Sequence, residues 1–567
     1  MAYDDHHEDH TGEHANGDGP PSYSHLVSVP AQPSLDLPRV HARFDFSDEV
    51  VISPTGSHVA FVEGDNVYLA PLPYRQTAAT PTLISKTKGA GALPVKQLST
   101  TGGLLPNWRD DNTLEFSSGS TYYTHNVAQG QTDEAEITLS VERRIPSGTI
   151  ALTNARIITM RGEEVLEGAD IVISGSRISC VGECATGNAD RVVDASGKTI
   201  IPGIVDMHAH HFRDYRGMVP ARGYETAIYT AYGVTTAFDN AVSVQNIFPA
   251  AELIDAGKVI GPRTYSAGGP LYNRDGAREN LITSYQVADD SLMRLKKWGA
   301  VSAKQYLQPR RDQRQWISDV ARREGLMVTS EGSDLAYNIG MILDGQTGFE
   351  HPMSYMPIYS DVAKFFGKTK AVYSPTFVVG GPGAWNEEYF WQETDLWKDE
   401  KQRKWLPWRQ LVPNTRRAIK RPVTDYSYPL IAQGMADIIA EGGYGAIGSH
   451  GQQHGIGSHW EIWMVASAMG PHGALDVATR HGAYFVGALD DIGTLEVGKL
   501  GDLVVLNSNP LEDIRNTLDI DTVMQGGVLR DGDTLDEVWP MNKPFGPVPW
   551  TNEDIYRGDN RPTDYHQ

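Results

Sequence analysis

The sequence predicts an α/β protein built on a (β/α)8 TIM-like barrel. A flanking composite β-sandwich domain and a small N-terminal, propeller-blade-like β segment complete the expected fold. Three observations predict it. From Ile204 to about Asp490, apolar strand-like runs alternate eight times with linking segments, several of them helical in pattern, the signature of a parallel sheet closed by helices. Ligand-type side chains (His208, His210, Lys304, Glu331, His351 and His450) recur at the C-terminal ends of those runs, where barrel chemistry sits. Short β-rich stretches with turn signals flank the alternating region on both sides.

The runs read as strands are Ile204–His208, Val234–Asn240, Pro262–Ala267, Ala300–Leu307, Leu326–Glu331, Gly348–His351, Ala371–Val379 and Tyr444–His450. Asp312 to Glu324 and Tyr428 to Glu441 read as helices between them. In the first run, Ile201-Pro-Gly-Ile-Val-Asp-Met-His-Ala-His210, the two histidines stand at i and i+2. Strand side chains alternate between faces, so both imidazoles point one way and form half of a metal site.

The N-terminal residues 1–40 read as a disordered tail rich in Asp, His, Gly and Pro, and His6, His7, His10 and His14 as solvated. In 41–148, Ser53-Pro-Thr-Gly-Ser-His-Val-Ala-Phe61 leads into Asn66–Ala70, and Trp108-Arg-Asp-Asp-Asn-Thr-Leu-Glu-Phe116 into Thr121–Thr124. Each is strand, turn, strand; two such units do not close a propeller. Residues 149–203 are β-rich and are expected to pair with 491–532 as the sandwich, leaving 204–490 as the barrel and 533–567 as a C-terminal arm. Cys180 and Cys184 read as packed thiols rather than a disulfide framework. Trp385, Trp391, Trp397, Trp405 and Trp408, with Tyr389, Phe390, Tyr355, Met356 and Tyr359, read equally as a pocket lid or as packing.

At 567 residues the chain exceeds what one core supports, so several domains are expected. A formal charge of −22, from 71 acidic and 49 basic residues, argues against nucleic acid or an anionic membrane as partner. No apolar run approaches the ~20 residues of a membrane helix, and the N-terminus has no apolar signal core. A cytoplasmic protein, expected to be a homo-oligomer, is the reading.

Pro202-Gly-Ile-Val-Asp-Met-His-Ala-His210 together with Leu495-Glu-Val-Gly-Lys-Leu-Gly-Asp-Leu-Val-Val505 resembles the amidohydrolase superfamily over roughly Thr149 to Gly532. With the WD40-like segment, it resembles the TolB-associated branch. The resemblance implies one or two divalent metals at the barrel mouth. It implies His208 and His210 as ligands, Lys304 where a carboxylated lysine bridges two metals, and His351 as the histidine of the sixth strand. Two positions depart from the usual pattern: Glu331 stands where the fifth strand ordinarily offers histidine, and His450 where the eighth offers an aspartate base.

Imidazole and carboxylate without thiolate suit Fe, Zn or Mn. The chain also resembles the non-heme diiron monooxygenases of this fold in platensimycin and platencin biosynthesis. That resemblance implies two irons and O2 as co-substrate. It further implies a bulky apolar, diterpenoid-like acid derivative, CoA- or carrier-linked, with electrons from an external donor or reductase. With His450 replacing the carboxylate base, this oxygenase is the preferred expectation, and Glu331, His450 and Lys304 are its catalytic candidates. A Zn- or Mn-dependent hydrolase of C–N or C–O bonds is the alternative, and a non-catalytic binding protein the third. His211 reads as no more than a cap of its strand, His454 and His459 remain open between support of the ligands and loop solvation, and Asp206 is a candidate to orient a ligand.

Overall fold

The computed structural model describes residues 25–29, 40–44, 47–72, 82–86, 91, 93–211, 218–272, 281–354, 356–381, 384–416, 420–548 and 550. The chain forms two compact units, 1–138 with 274–280, and 139–273 with 281–567.

In the first unit, two antiparallel four-stranded sheets are present among the described residues. One is made of Glu49–Ile52, His58–Glu63, Asn66–Pro71 and Lys96–Gln97; the other of Leu104–Asp110, Thr113–Ser118, Thr121–Asn126 and Gln131–Glu136. His25–Val29 pairs antiparallel with Val40–Phe44, so the expected tail of 1–40 contains a strand. Backbone pairing there needs no strong apolar alternation, and the Pro- and Asp-rich flanks hid it. His6, His7, His10 and His14 lie outside the described residues.

In the second unit, eight parallel strands form two hydrogen-bonded arcs. The first joins Ile204–Asp206, Val234–Asp239 and Arg263–Ser266; the second joins Ser302–Gln305, Met327–Glu331, Gly348–Glu350, Val372–Ser374 and Tyr444–Gly445. Backbone hydrogen bonds cross both seams. Val301 N donates to Ser266 O (3.1 Å) and Met207 N to Ile447 O (2.9 Å). The strands stop a few residues short of the sequence expectation because the ligand-bearing ends turn out of the ladder. The seventh departs most: Thr376 adopts a left-handed φ of 47° and Phe377–Val379 is a 3-10 turn.

Segments before and after the barrel share one nine-stranded hydrogen-bonded network. Thr199–Pro202 pairs antiparallel with Leu503–Leu506, and the path continues through Ile520–Gln525 and Val528–Asp531 to Glu537–Trp539. The last strand falls in what the sequence suggested was a free arm. Strand alternation places Ile200, Leu503 and Val505 in one apolar cluster and Ile201, Val504 and Leu506 in another. Both faces of these strands are therefore buried, which accounts for their unbroken apolar runs.

Cys180 and Cys184 form a disulfide, which corrects the expectation of packed thiols; their Cα atoms are 6.0 Å apart, a distance a bridge spans. No helix among the described residues is long and apolar enough to cross a membrane. Phe390 stacks on Trp460 with ring centroids 5.0 Å apart, and Trp391 and Trp405 are buried in the main core. For these residues packing, not a lid, is the outcome. Tyr359 and Trp408 remain exposed, and Tyr355 lies outside the described residues.

Candidate metal centre

Four imidazoles converge at the C-terminal ends of the strands. The ring of His208 lies 4.7 Å from those of His210 and His450 and 4.9 Å from that of His351, centroid to centroid. His210 and His450 are 4.7 Å apart, and His351 and His450 4.9 Å. The Nε2 atoms of His208 and His210 face each other at 2.9 Å. Ligand nitrogens of His208, His351 and His450 all lie within 4.8 Å of one another.

The backbone aims these rings. His210, His351 and His450 have left-handed φ values of 40°, 69° and 56°, a conformation in which histidine is enriched among non-glycine residues and which clusters at functional sites. Glycine makes the close approach possible. A Cβ at Gly448 would lie 2.5 Å from His208 Cβ, so the eighth-strand loop presses directly on the first. Gly448→Ala is accordingly expected to push His208 off the cluster and weaken Zn2+ binding, by roughly the 10–100-fold typical of lost ligand support. Competition with a chromophoric chelator measures it, and unchanged affinity would show that the contact is not needed.

Outer partners hold the second nitrogen of three rings. Thr376 Oγ1 lies 2.6 Å from His351 Nδ1, Gln452 Nε2 lies 3.3 Å from His450 Nδ1, and Asp239 Oδ1 lies 3.5 Å from His210 Nδ1. This is the second layer that orients histidine ligands. Burial, reinforced by His210, His450, Lys304 and His351, holds His208 well below the usual histidine range, so the ring stands neutral.

Lys304 and Glu331 join the cluster through His351. Glu331 Oε2 lies 3.1 Å from His351 Nε2, and its Oε1 lies 2.7 Å from Lys304 Nζ. Glu350 Oε2 lies 2.9 Å from the same ammonium, which also sits 4.6 Å from the centre of the Tyr306 ring. Burial opposes the charge on Lys304, but Glu331 and Glu350 outweigh it and keep the ammonium well above the usual lysine range. Burial likewise works against ionised Glu331, yet His351 and Lys304 bring it down to about 2. Lys304 thus pairs with two carboxylates, Glu331 and Glu350.

The structure thus brings together all six residues singled out in the sequence. Sequence reasoning missed Glu350, Thr376, Gln452 and Asp239. A charged residue inside the buried run Gly348-Phe-Glu350 was the available signal for the first. Asp206 does not touch the rings; it accepts from His208 N (3.1 Å) and Ser449 N (3.2 Å). His211 lies between Asp239 (3.6 Å) and Thr264 (3.0 Å). His459 lies 2.9 Å from Tyr232 O and 3.0 Å from Thr517 Oγ1, and burial lowers it to about 3. His454 packs against Tyr224 and Tyr229. These three histidines are packing groups rather than members of the cluster.

The donor set fits a divalent cation. The neutral ring of His208, outward nitrogens of the other three rings held by partners and one ionised carboxylate suit such an ion.

A family model described as the amidohydrolase family matches residues 434–530. An adenine deaminase of Ruegeria sp. (strain TM1040) is 34% identical over 107 residues, 18% of this chain and 17% of its own length. One from Clostridium botulinum (strain Loch Maree / Type A3) is 36% identical over 73 residues, 12% of each chain. The match therefore spans less than a fifth of these relatives. Among solved structures, a Xaa-Pro dipeptidase with bound methionine superposes with a TM-score of 0.53 at 20% identity, covering 68% of this chain and 100% of that one. The ochratoxinase of A. niger gives 0.53 at 18% identity, covering 72% and 98%. The fold is thus of the amidohydrolase, TIM-barrel type with added β-sheet. The family match is confined to residues 434–530, and the superposed structures show a shared fold.

Proposed function

We propose that this chain is a metal-dependent hydrolase that cleaves a C–N or C–O bond at the histidine cluster. The observation that carries the reading is the convergence of His208, His210, His351 and His450 beside ionised Glu331. These residues would hold the metal, with Lys304 fixing Glu331. A cation there supplies Lewis-acid polarisation of a scissile carbonyl and acidifies water.

The chain's own groups define the electrostatics. Neutral His208 presents a lone pair without competing for a proton at neutral pH. Glu331, at about 2, is a poor proton acceptor near pH 7, where an effective base has a matching pKa. Its role is charge and ligation. Lys304 offsets that charge and orients it. The match to the amidohydrolase family and to adenine deaminases supports hydrolysis over oxygenation.

The diiron oxygenase expected from the closer resemblance is the second reading, and the His-plus-carboxylate set is the observation that favours it. Metal content of freshly purified protein, with turnover of amide and ester libraries with and without O2, separates the two. Zinc or manganese and product under anaerobic conditions are expected. Two irons and oxygen uptake coupled to product, with no anaerobic turnover, would reverse the order.

A further inference from the structure

Behind the imidazoles lie two buried carboxylates that touch none of them. Glu461, in the helix Ile456–Asp476, is wholly buried. Its Oε1 accepts from Val378 N at 2.7 Å and its Oε2 from Gly448 N at 3.3 Å. One carboxylate thereby ties together the loops after the seventh and eighth strands. Val378 follows Thr376, which holds His351 Nδ1 at 2.6 Å. Gly448 precedes His450 and packs against His208.

Asp206 makes the complementary tie. It accepts from His208 N and Ser449 N, and from Ser458 Oγ at 2.7 Å. Ser458 lies on the same helix as Glu461, one turn earlier. The first turns of one helix therefore grip the backbone beside His208 and His450, and beside the threonine that holds His351. Burial raises both groups, Glu461 well above the usual carboxylate range, and the donors on their oxygens pull the other way.

We propose that Glu461, acting with Asp206, is a positioning residue of the metal centre, setting the spacing of the loops that carry Thr376 and His450 through their backbone and, through Thr376, the place of the His351 ring. The proposal rests on reading the cluster as a metal centre. Glu461→Gln tests it, because an amide offers one acceptor in place of two and turns an NH2 toward one of the two backbone donors.

Two measurements are made on the full chain: Zn2+ affinity by chelator competition, and amide hydrogen exchange at Val378 and Gly448 without metal. The expected result is affinity lowered by about 10–100-fold, the range for lost support around a ligand, with faster exchange at both amides. A role in stability alone would lower the melting temperature but leave the affinity of the folded protein as it was, and that result overturns the proposal. If Glu461→Gln does not fold, Ser458→Ala, which removes one donor to Asp206, must weaken Zn2+ binding in the same direction or the proposal fails. An unsubstituted chain that binds no divalent cation would sink the functional reading. The exchange rates would then still decide whether Glu461 holds the two loops.

Discussion

His208→Ala is expected to remove nearly all tightly held divalent metal, and with it turnover. Its ring is the hub of the cluster, in contact with those of His210, His351 and His450. It is also the most buried of the four, and burial with the neighbouring charges holds it neutral. Losing an outer partner typically costs a metal site ~10–100-fold, and losing the hub should exceed that. Metal analysis after purification and chelator competition read the result. His351→Ala and His450→Ala should follow the same course. Retention of full metal by His208→Ala would move the site elsewhere. Because His208 is depressed below its ordinary 6.5, the unfolded chain takes up its proton first. Metal-free protein should therefore lose stability as the pH falls below 6.5.

Lys304→Met should be the most destabilising single change in the barrel. It leaves Glu331 and Glu350 buried side by side without their shared cation, and breaking a buried pair from one side costs about 3–5 kcal/mol. Urea unfolding of metal-free protein near neutral pH measures it, and a midpoint unchanged from the parent would refute the ion-pair account. The pH dependence has a defined sign. Glu331 titrates at about 2 in the folded chain against 4.5 for the free group. Its contribution is therefore fully present above 4.5 and is lost as the pH falls toward 2. In Lys304→Met that acid-side slope should flatten in part, because His351 still depresses Glu331 but Lys304 no longer does.

How much of this could be read from sequence follows from what is local. Strands are rich in β-branched and aromatic residues, so Val234–Asp239, with Val, two Thr and Phe, stands out from the helices beside it. Histidines at strand ends mark themselves in the same way. The supporting groups do not, because which Nδ1 Thr376 or Gln452 meets depends on loops that converge only in three dimensions. Glu350 was hidden by its neighbour, since Phe349-Glu-His351 drew attention to the histidine. The bridge between Cys180 and Cys184 was missed because two cysteines alone carry no framework signal. That the strands before and after the barrel lie together was expected, but alternation identifies strands and not their neighbours, so their order in the sheet was not legible.

That sheet has a consequence for how the protein is made. Thr199–Pro202, immediately ahead of the first histidine motif, has Leu503–Leu506 as its antiparallel neighbour. On the ribosome that edge stays open until the whole barrel has emerged. The first motif is thus the earliest part of the barrel to be synthesised and among the last to be braced, and a nascent chain stalled before Leu503 would expose an apolar seam for chaperones to shield.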